Sequence, residues 1–232
     1  MLPKKTRRVA VLAVGICLTI IIVGGVFAPR IHMTQNLNDD VANAIEIGLG
    51  SHQHALNLVA DLAAGLEAVG LASAIVLLCL ATRGLSWAVL ALVSVPLAIG
   101  LTEYALKPLF GATSDYTGFP SGHTTTSFGI ATVVVVMMLT PGNWLSARWR
   151  FLIALAGWLA AAAVAVAVIG LGMHSFAEAL GGAAVGTGVV LLVALLLDLP
   201  LVRRLLLSAT ARFLPRSRQA REILLDRERM SQ

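Results

Sequence analysis

The chain has 232 residues, of which 58% are hydrophobic and only 12% charged, with a formal net charge of +5 and a mean hydropathy of +0.87. A soluble domain carries about 25% charged residues, and a small one exposes proportionally more surface, so this composition excludes a water-soluble domain and calls for a bilayer as solvent. The basic residues sit in tails and short loops without zinc-finger spacing or a basic recognition helix, which excludes nucleic acid and leaves anionic lipid headgroups at the basic termini as partners.

Crossing about 30 Å of hydrocarbon takes about 20 apolar residues in a helix. Six stretches meet or approach this: Val9–Phe27, Ala55–Thr82, Leu85–Leu106, Thr124–Thr140, Phe151–Met173 and Ala177–Leu197. Backbone groups in hydrocarbon must be bonded internally, so the expectation is an all-α fold, a six-transmembrane helical bundle. Residues 1–200 form the six-span membrane domain, with a core motif region over 101–186. Residues 201–232 form a cytoplasmic basic tail, read as an amphipathic helix lying on the inner leaflet.

Lys4, Lys5, Arg7 and Arg8 precede the first stretch, whose apolar run is longer than that of a secretory leader, so it reads as an uncleaved anchor. With six spans both termini share one side. That side holds every one of the 17 basic residues except Arg30 and Lys107. The positive-inside rule then predicts a multi-pass cell-membrane protein with cytoplasmic N- and C-termini. Residues 28–54, 107–123 and 174–176 fall on the outer face, and with them all five histidines, at 32, 52, 54, 123 and 174.

Some polar features read as structural. Cys17 and Cys79 lie in apolar stretches and are expected to be buried and inert. In Ser51-His52-Gln53-His54 the histidines are two apart and share no helix face, and no third ligand follows, so a solvated loop rather than a metal site is expected. Asp61 and Glu67 interrupt the second stretch and are expected to face the bundle interior or a cavity. The small residues of the fifth and sixth spans permit close packing within one chain or in a homo-oligomer.

Three elements carry chemistry. In Gly118-Phe119-Pro120-Ser121-Gly122-His123, Ser121 can cap the following helix and Gly122 lets a ligand approach the backbone. Helix N-termini favour phosphate, and His123 stands there with a ring suited to proton transfer. In His174-Ser175-Phe176-Ala177-Glu178, the i, i+4 spacing lets Glu178 orient one imidazole nitrogen and leave the other as nucleophile or base. Glu103 and Lys107 repeat that spacing, with Lys107 as a phosphate ligand and Glu103 as its support.

Together these elements resemble the phosphatidic acid phosphatase type 2 superfamily of membrane lipid phosphatases and phosphotransferases. Its signature runs K-x6-R-P, then P-S-G-H, then S-R-x5-H-x3-D. Lys107 matches the first part, Pro120-Ser121-Gly122-His123 the whole of the second, and His174 with Glu178 the end of the third, with Glu in place of Asp. Gly170-Leu171-Gly172-Met173 and Gly181-Gly182 also look like family sequence. Ser114 and Asp115 stand where the first Arg-Pro belongs, and Ala167-Val168 where Ser-Arg belongs, so both motif arginines are absent.

The resemblance implies that His174 attacks phosphorus to give a phosphohistidine, that Glu178 orients it, and that His123 protonates the leaving oxygen. Lys107, Ser121 and the Gly122 amide would hold the phosphoryl oxygens, with Glu103 and Asp115 in support, and neither metal nor cofactor is called for. The implied function is hydrolysis of a membrane lipid phosphate monoester at the outer face. Two alternatives stand beside it: a lipid phosphotransferase exchanging a phospho-headgroup, and a catalytically inactive scaffold of the same fold.

Overall fold

A computed structural model describes residues 2–27, 32–110, 118–140, 145–202 and 204. The helices are α1 (Lys4–Phe27), α2 (His32–Leu49), α3 (Gln53–Asp61), α4 (Gly65–Arg83), α5 (Leu85–Leu101), α6 (Lys107–Phe110), α7 (Gly122–Leu139), α8 (Ala147–Gly170) and α9 (Phe176–Leu197). A 3₁₀ turn at Gly50–His52 joins α2 to α3, and a π turn at Thr102–Leu106 joins α5 to α6. No strand occurs among the described residues.

Among the described residues, six helical stretches are long and apolar enough to cross a membrane: Thr6–Phe27, Gly65–Arg83, Leu85–Phe110, Gly122–Leu139, Ala147–Gly170 and Phe176–Leu197. The chain is a multi-pass membrane protein with a six-helix bundle. Its exterior is apolar, with Leu12 and Leu77 more than 60% exposed. Its interior holds the hydroxyls of Ser94, Thr102, Ser121, Thr124, Thr125 and Thr132, together with Glu178. An apolar exterior is what a lipid solvent permits, because an apolar side chain gains nothing by leaving hydrocarbon.

The second span is shorter than the sequence suggests. The run from Ala55 breaks after Asp61, and α4 starts at Gly65, whose φ of +54° suits glycine. Asp61, at the end of α3, and Glu67, in the first turn of α4, are exposed rather than buried in the bundle interior, and they flank Ala63, Ala64 and Gly65, which line a cavity. The segment expected as a loop from 28 to 54 contains α2, and Ser51-His52-Gln53-His54 runs through the 3₁₀ turn into α3. His52 and His54 are exposed, with His52 Nδ1 2.9 Å from Ser51 Oγ. No group of three His, Cys, Asp or Glu able to hold a metal occurs among the described residues. Cys17 and Cys79 are buried free thiols. Asp115 and nearly all of the basic tail lie outside the described residues.

Helix α9 is the hub, packing on α7, α1 and α5. Its contact with α7 runs along glycines. A methyl at Gly186 would collide with the Thr125 carbonyl and lie 2.7 Å from the Gly129 amide nitrogen, so the two backbones touch directly. Small-residue contacts of this kind are how helices pack tightly in a bilayer. Leu2 N–H donates to Asp198 Oδ1 (3.4 Å), placing the start of α1 beside the end of α9. At that end Arg83 donates to Thr140 Oγ1 (2.6 Å) and lies 4.9 Å from the Trp87 ring centroid. Lys107, His123 and His174 lie at the other end.

Candidate active site

The site forms where α7 and α9 both begin. Helix α7 starts after a sharp turn in which Gly118 has φ +88° and the Phe119–Pro120 peptide is cis. Ser121 is the N-cap, its Oγ accepting from the Thr124 amide at 3.5 Å. Helix α9 starts with a capping box. Ser175 Oγ accepts from the Glu178 amide (3.2 Å), and Glu178 Oε2 accepts from the Ser175 amide (3.0 Å). Such reciprocal caps satisfy two amides that a helix end otherwise leaves open.

The same Glu178 oxygen receives a hydrogen bond from His174 Nδ1 at 3.1 Å, and both side chains are under 10% exposed. One carboxylate thus closes the helix start and fixes the imidazole, which turns Nε2 away from the carboxylate. Gly172, with φ +67°, ends α8 and returns the chain to His174. The two helix starts are tied together by the Ser121 amide, which donates to the Glu178 carbonyl (2.9 Å). The His123 and His174 rings consequently lie 5.7 Å apart, centroid to centroid, at an interplanar angle of 62°.

Gly181 and Gly182 permit this approach. A methyl at Gly181 would enter the Phe119 ring, and one at Gly182 would strike the Ser121 carbonyl and the Thr124 hydroxyl. The family-like glycine pair therefore seats the turn that carries His123.

Lys107 and Glu103 arrive from the end of α5. Lys107 Nζ donates to Glu103 Oε1 (2.7 Å) and Oε2 (2.8 Å). The π turn between them is pinned by Thr102, whose buried hydroxyl lies 3.0 Å from that of Thr125 on α7. Single π turns inside helices recur at functional sites because they redirect side chains without ending the helix.

Glu103, Lys107, Gly122, His123 and His174 line the head of a cavity of about 1210 Å³. Its body runs between α4 and α5, along Ala68, Ala72 and Val76 on one wall and Leu92, Pro96 and Gly100 on the other. The stretch from Gly65 to Leu77 corresponds to roughly 18 Å of helix at about 1.5 Å per residue. This is more than half of the roughly 30 Å hydrocarbon depth. Small-molecule sites usually enclose about 300–1,000 Å³, so the space suits a polar head on a long apolar chain.

The structure thus brings together Lys107, Glu103, Gly122, His123, His174 and Glu178. Ser121 is fully buried and does not line the cavity, so its hydroxyl serves the helix start instead of facing a ligand. Ala167 and Val168, at the second missing arginine position, are fully buried in the bundle. Sequence reasoning missed Asn38 on α2, whose Oδ1 accepts from the Ala177 amide (3.1 Å) and so caps the start of α9 from another helix. Nothing local marks it, since its partner lies 139 residues away.

Residues 99–199 match the model of the PAP2 superfamily. Among solved structures, the chain is similar to the first transmembrane PAP2 type phosphatidylglycerolphosphate phosphatase from Bacillus subtilis, with 16% identity and a TM-score of 0.65. That likeness covers 78% of this chain and 94% of the other. At that identity it shows a shared fold. No curated protein matches the sequence.

Proposed function

We propose that the chain, whose residues 99–199 match the PAP2 superfamily model, is a phosphatase-type membrane enzyme that hydrolyses a lipid phosphate monoester. The observation that carries this reading is the buried His174–Glu178 pair facing His123 at the polar head of an apolar groove. Glu178 also caps α9, but its second bond, to His174, is the one that orients an imidazole for nucleophilic attack.

In this reading His174 Nε2 attacks phosphorus while Nδ1–H stays bonded to Glu178. The phosphorus–oxygen bond to the lipid breaks, and His123 gives its proton to the leaving alkoxide, so the lipid departs as an alcohol. Water then attacks the phosphohistidine with His123 as base, and inorganic phosphate is released. Lys107 and the Gly122 amide offset the charge that develops on the phosphoryl oxygens, with Ser121 shaping the turn that presents the amide. Removing one preorganised donor of this kind costs about 2.7–4 kcal/mol in an acyl-transfer site. Neither metal nor cofactor enters these steps.

The site is assigned to the outer face of the cell membrane, with both termini cytoplasmic. Arg83 is clustered with Thr140 and Trp87 at the end away from Lys107, which supports that orientation under the positive-inside rule. A second reading, exchange of a phospho-headgroup between lipids, is favoured by one observation. Apolar Val168 fills the place of a phosphate-binding arginine, so a cation that would hold a doubly charged phosphate is missing, and a singly charged phosphodiester has less need of it.

Phosphate release from lipid phosphates in mixed micelles, with His174→Ala as control, tests the proposal. Release by the wild-type protein and its loss in the variant are expected. Undiminished release in His174→Ala would remove the nucleophile from the account, and headgroup exchange without release would favour the transferase.

A further inference from the structure

The carboxylate of Glu103 occupies ground that a substrate phosphoryl group has to enter. Both of its oxygens are taken by Lys107 Nζ, at 2.7 and 2.8 Å. A methyl built on Gly122 would lie 2.5 Å from Glu103 Oε1 and 4.0 Å from Lys107 Nζ. The carboxylate therefore leans on the bare α-carbon of the first residue of α7, at the positive end of that helix. It shares the cavity head with His123 and His174.

Its position is held from below. Thr102 is fully buried and its hydroxyl meets that of Thr125, one turn into α7, so the π turn carrying Glu103 is pinned to the helix whose N-terminus it covers. A helix N-terminus and a lysine are what a phosphate would seek. Here both already face an anion supplied by the chain. Lys107 is the one lysine or arginine among the described residues lining this cavity, so the resting site has its positive charge matched before substrate arrives.

We propose that Glu103 is an internal anion that competes with the substrate phosphoryl group for Lys107 and the start of α7, and thereby selects against highly charged phosphates. This rests on the phosphatase reading and deepens it. A dianionic monoester must displace a carboxylate that repels it, whereas a phosphoryl group with one charge meets less repulsion. Like charges brought together repel, and because Glu103 is about a third exposed solvent screens part of that repulsion, so its removal is expected to strengthen phosphate binding by about tenfold. Glu103 is in this account a specificity-determining residue, and it takes no part in bond making.

The experiment compares wild type, Glu103→Gln and Glu103→Asp by two readouts. The first is kcat and KM on a lipid phosphate monoester, with inhibition by orthovanadate. The second is direct binding of inorganic phosphate followed by ³¹P NMR. Glu103→Gln is expected to lower KM and the vanadate inhibition constant by about tenfold, with the effect on KM rather than kcat, and to bind inorganic phosphate correspondingly tighter. Glu103→Asp, which keeps the charge, is expected to stay close to wild type in phosphate affinity. Unchanged or weaker phosphate and vanadate binding in Glu103→Gln would overturn the proposal and make Glu103 only a support for Lys107. Absence of turnover in all three proteins would instead sink the phosphatase reading, while the binding comparison still decides the role of Glu103.

Discussion

Replacing Gly182 by alanine probes the contact that brings the two helix starts together. The added methyl would collide with the Ser121 carbonyl and the Thr124 hydroxyl. Neither can yield easily, since the carbonyl is backbone and also accepts from the hydroxyls of Thr124 (3.2 Å) and Thr125 (2.8 Å). Restoring ordinary contact requires α7 and α9 to separate locally by roughly 1 Å, and overpacking of this sort costs about 1–3 kcal/mol. The separation stretches the bond from the Ser121 amide to the Glu178 carbonyl and moves His123 away from His174. A displacement of about 1 Å between reacting groups can cost about 10²-fold in rate. The expected result is a lower unfolding temperature in detergent together with a fall of about 10²-fold in kcat/KM for a lipid phosphate. A Gly182→Ala protein with wild-type stability and turnover would refute the idea that glycine at this position sets the site's geometry.

Other substitutions separate chemistry, substrate fit and stability. Glu178→Gln can keep an oxygen for the Ser175 amide but loses the charge facing His174; kcat should fall about 10–100-fold, as for a charge-assisted bond of about 1.5–3 kcal/mol, measured by steady-state phosphate release. Ala72→Phe places a ring in the wall of the groove; KM should rise for long-chain substrates while a short-chain soluble phosphate is turned over as before, and equal effects on both would place the apolar chain elsewhere. Arg83→Ala removes a 2.6 Å bond to Thr140 and a cation held over Trp87; thermal unfolding should show a loss of about 1–3 kcal/mol with no change in KM.

The candidate site residues were legible because membrane sequences hold few polar groups, and those that survive must be bonded or functional. The i, i+4 spacing of His174 and Glu178, and of Glu103 and Lys107, became two bonded pairs. Six spans followed from apolar length, although the second was drawn too long because Asp61 and Glu67 read as interruptions within one span, whereas the helix breaks between them. Helix α2 was overlooked, since it is as long as α7 but too polar to be picked out as a span by apolar length. What the sequence could not show are contacts between distant residues: the cap that Asn38 places on α9, the fit of Gly182 against Ser121, and the approach of Glu103 to Gly122. Ser121 illustrates a different limit. Its place in the motif suggests a ligand, but burial gives its hydroxyl to the helix start.

The most direct test of the central claim is chemical trapping of the intermediate on His174. Protein mixed with a ³²P-labelled lipid phosphate and quenched in alkali should carry label on one peptide, containing His174, and the label should be stable to base and released by acid. His174→Ala should carry none, and Glu178→Gln should label more slowly. Turnover without such an adduct, or label that persists in His174→Ala, would contradict the assignment of His174 as the nucleophile.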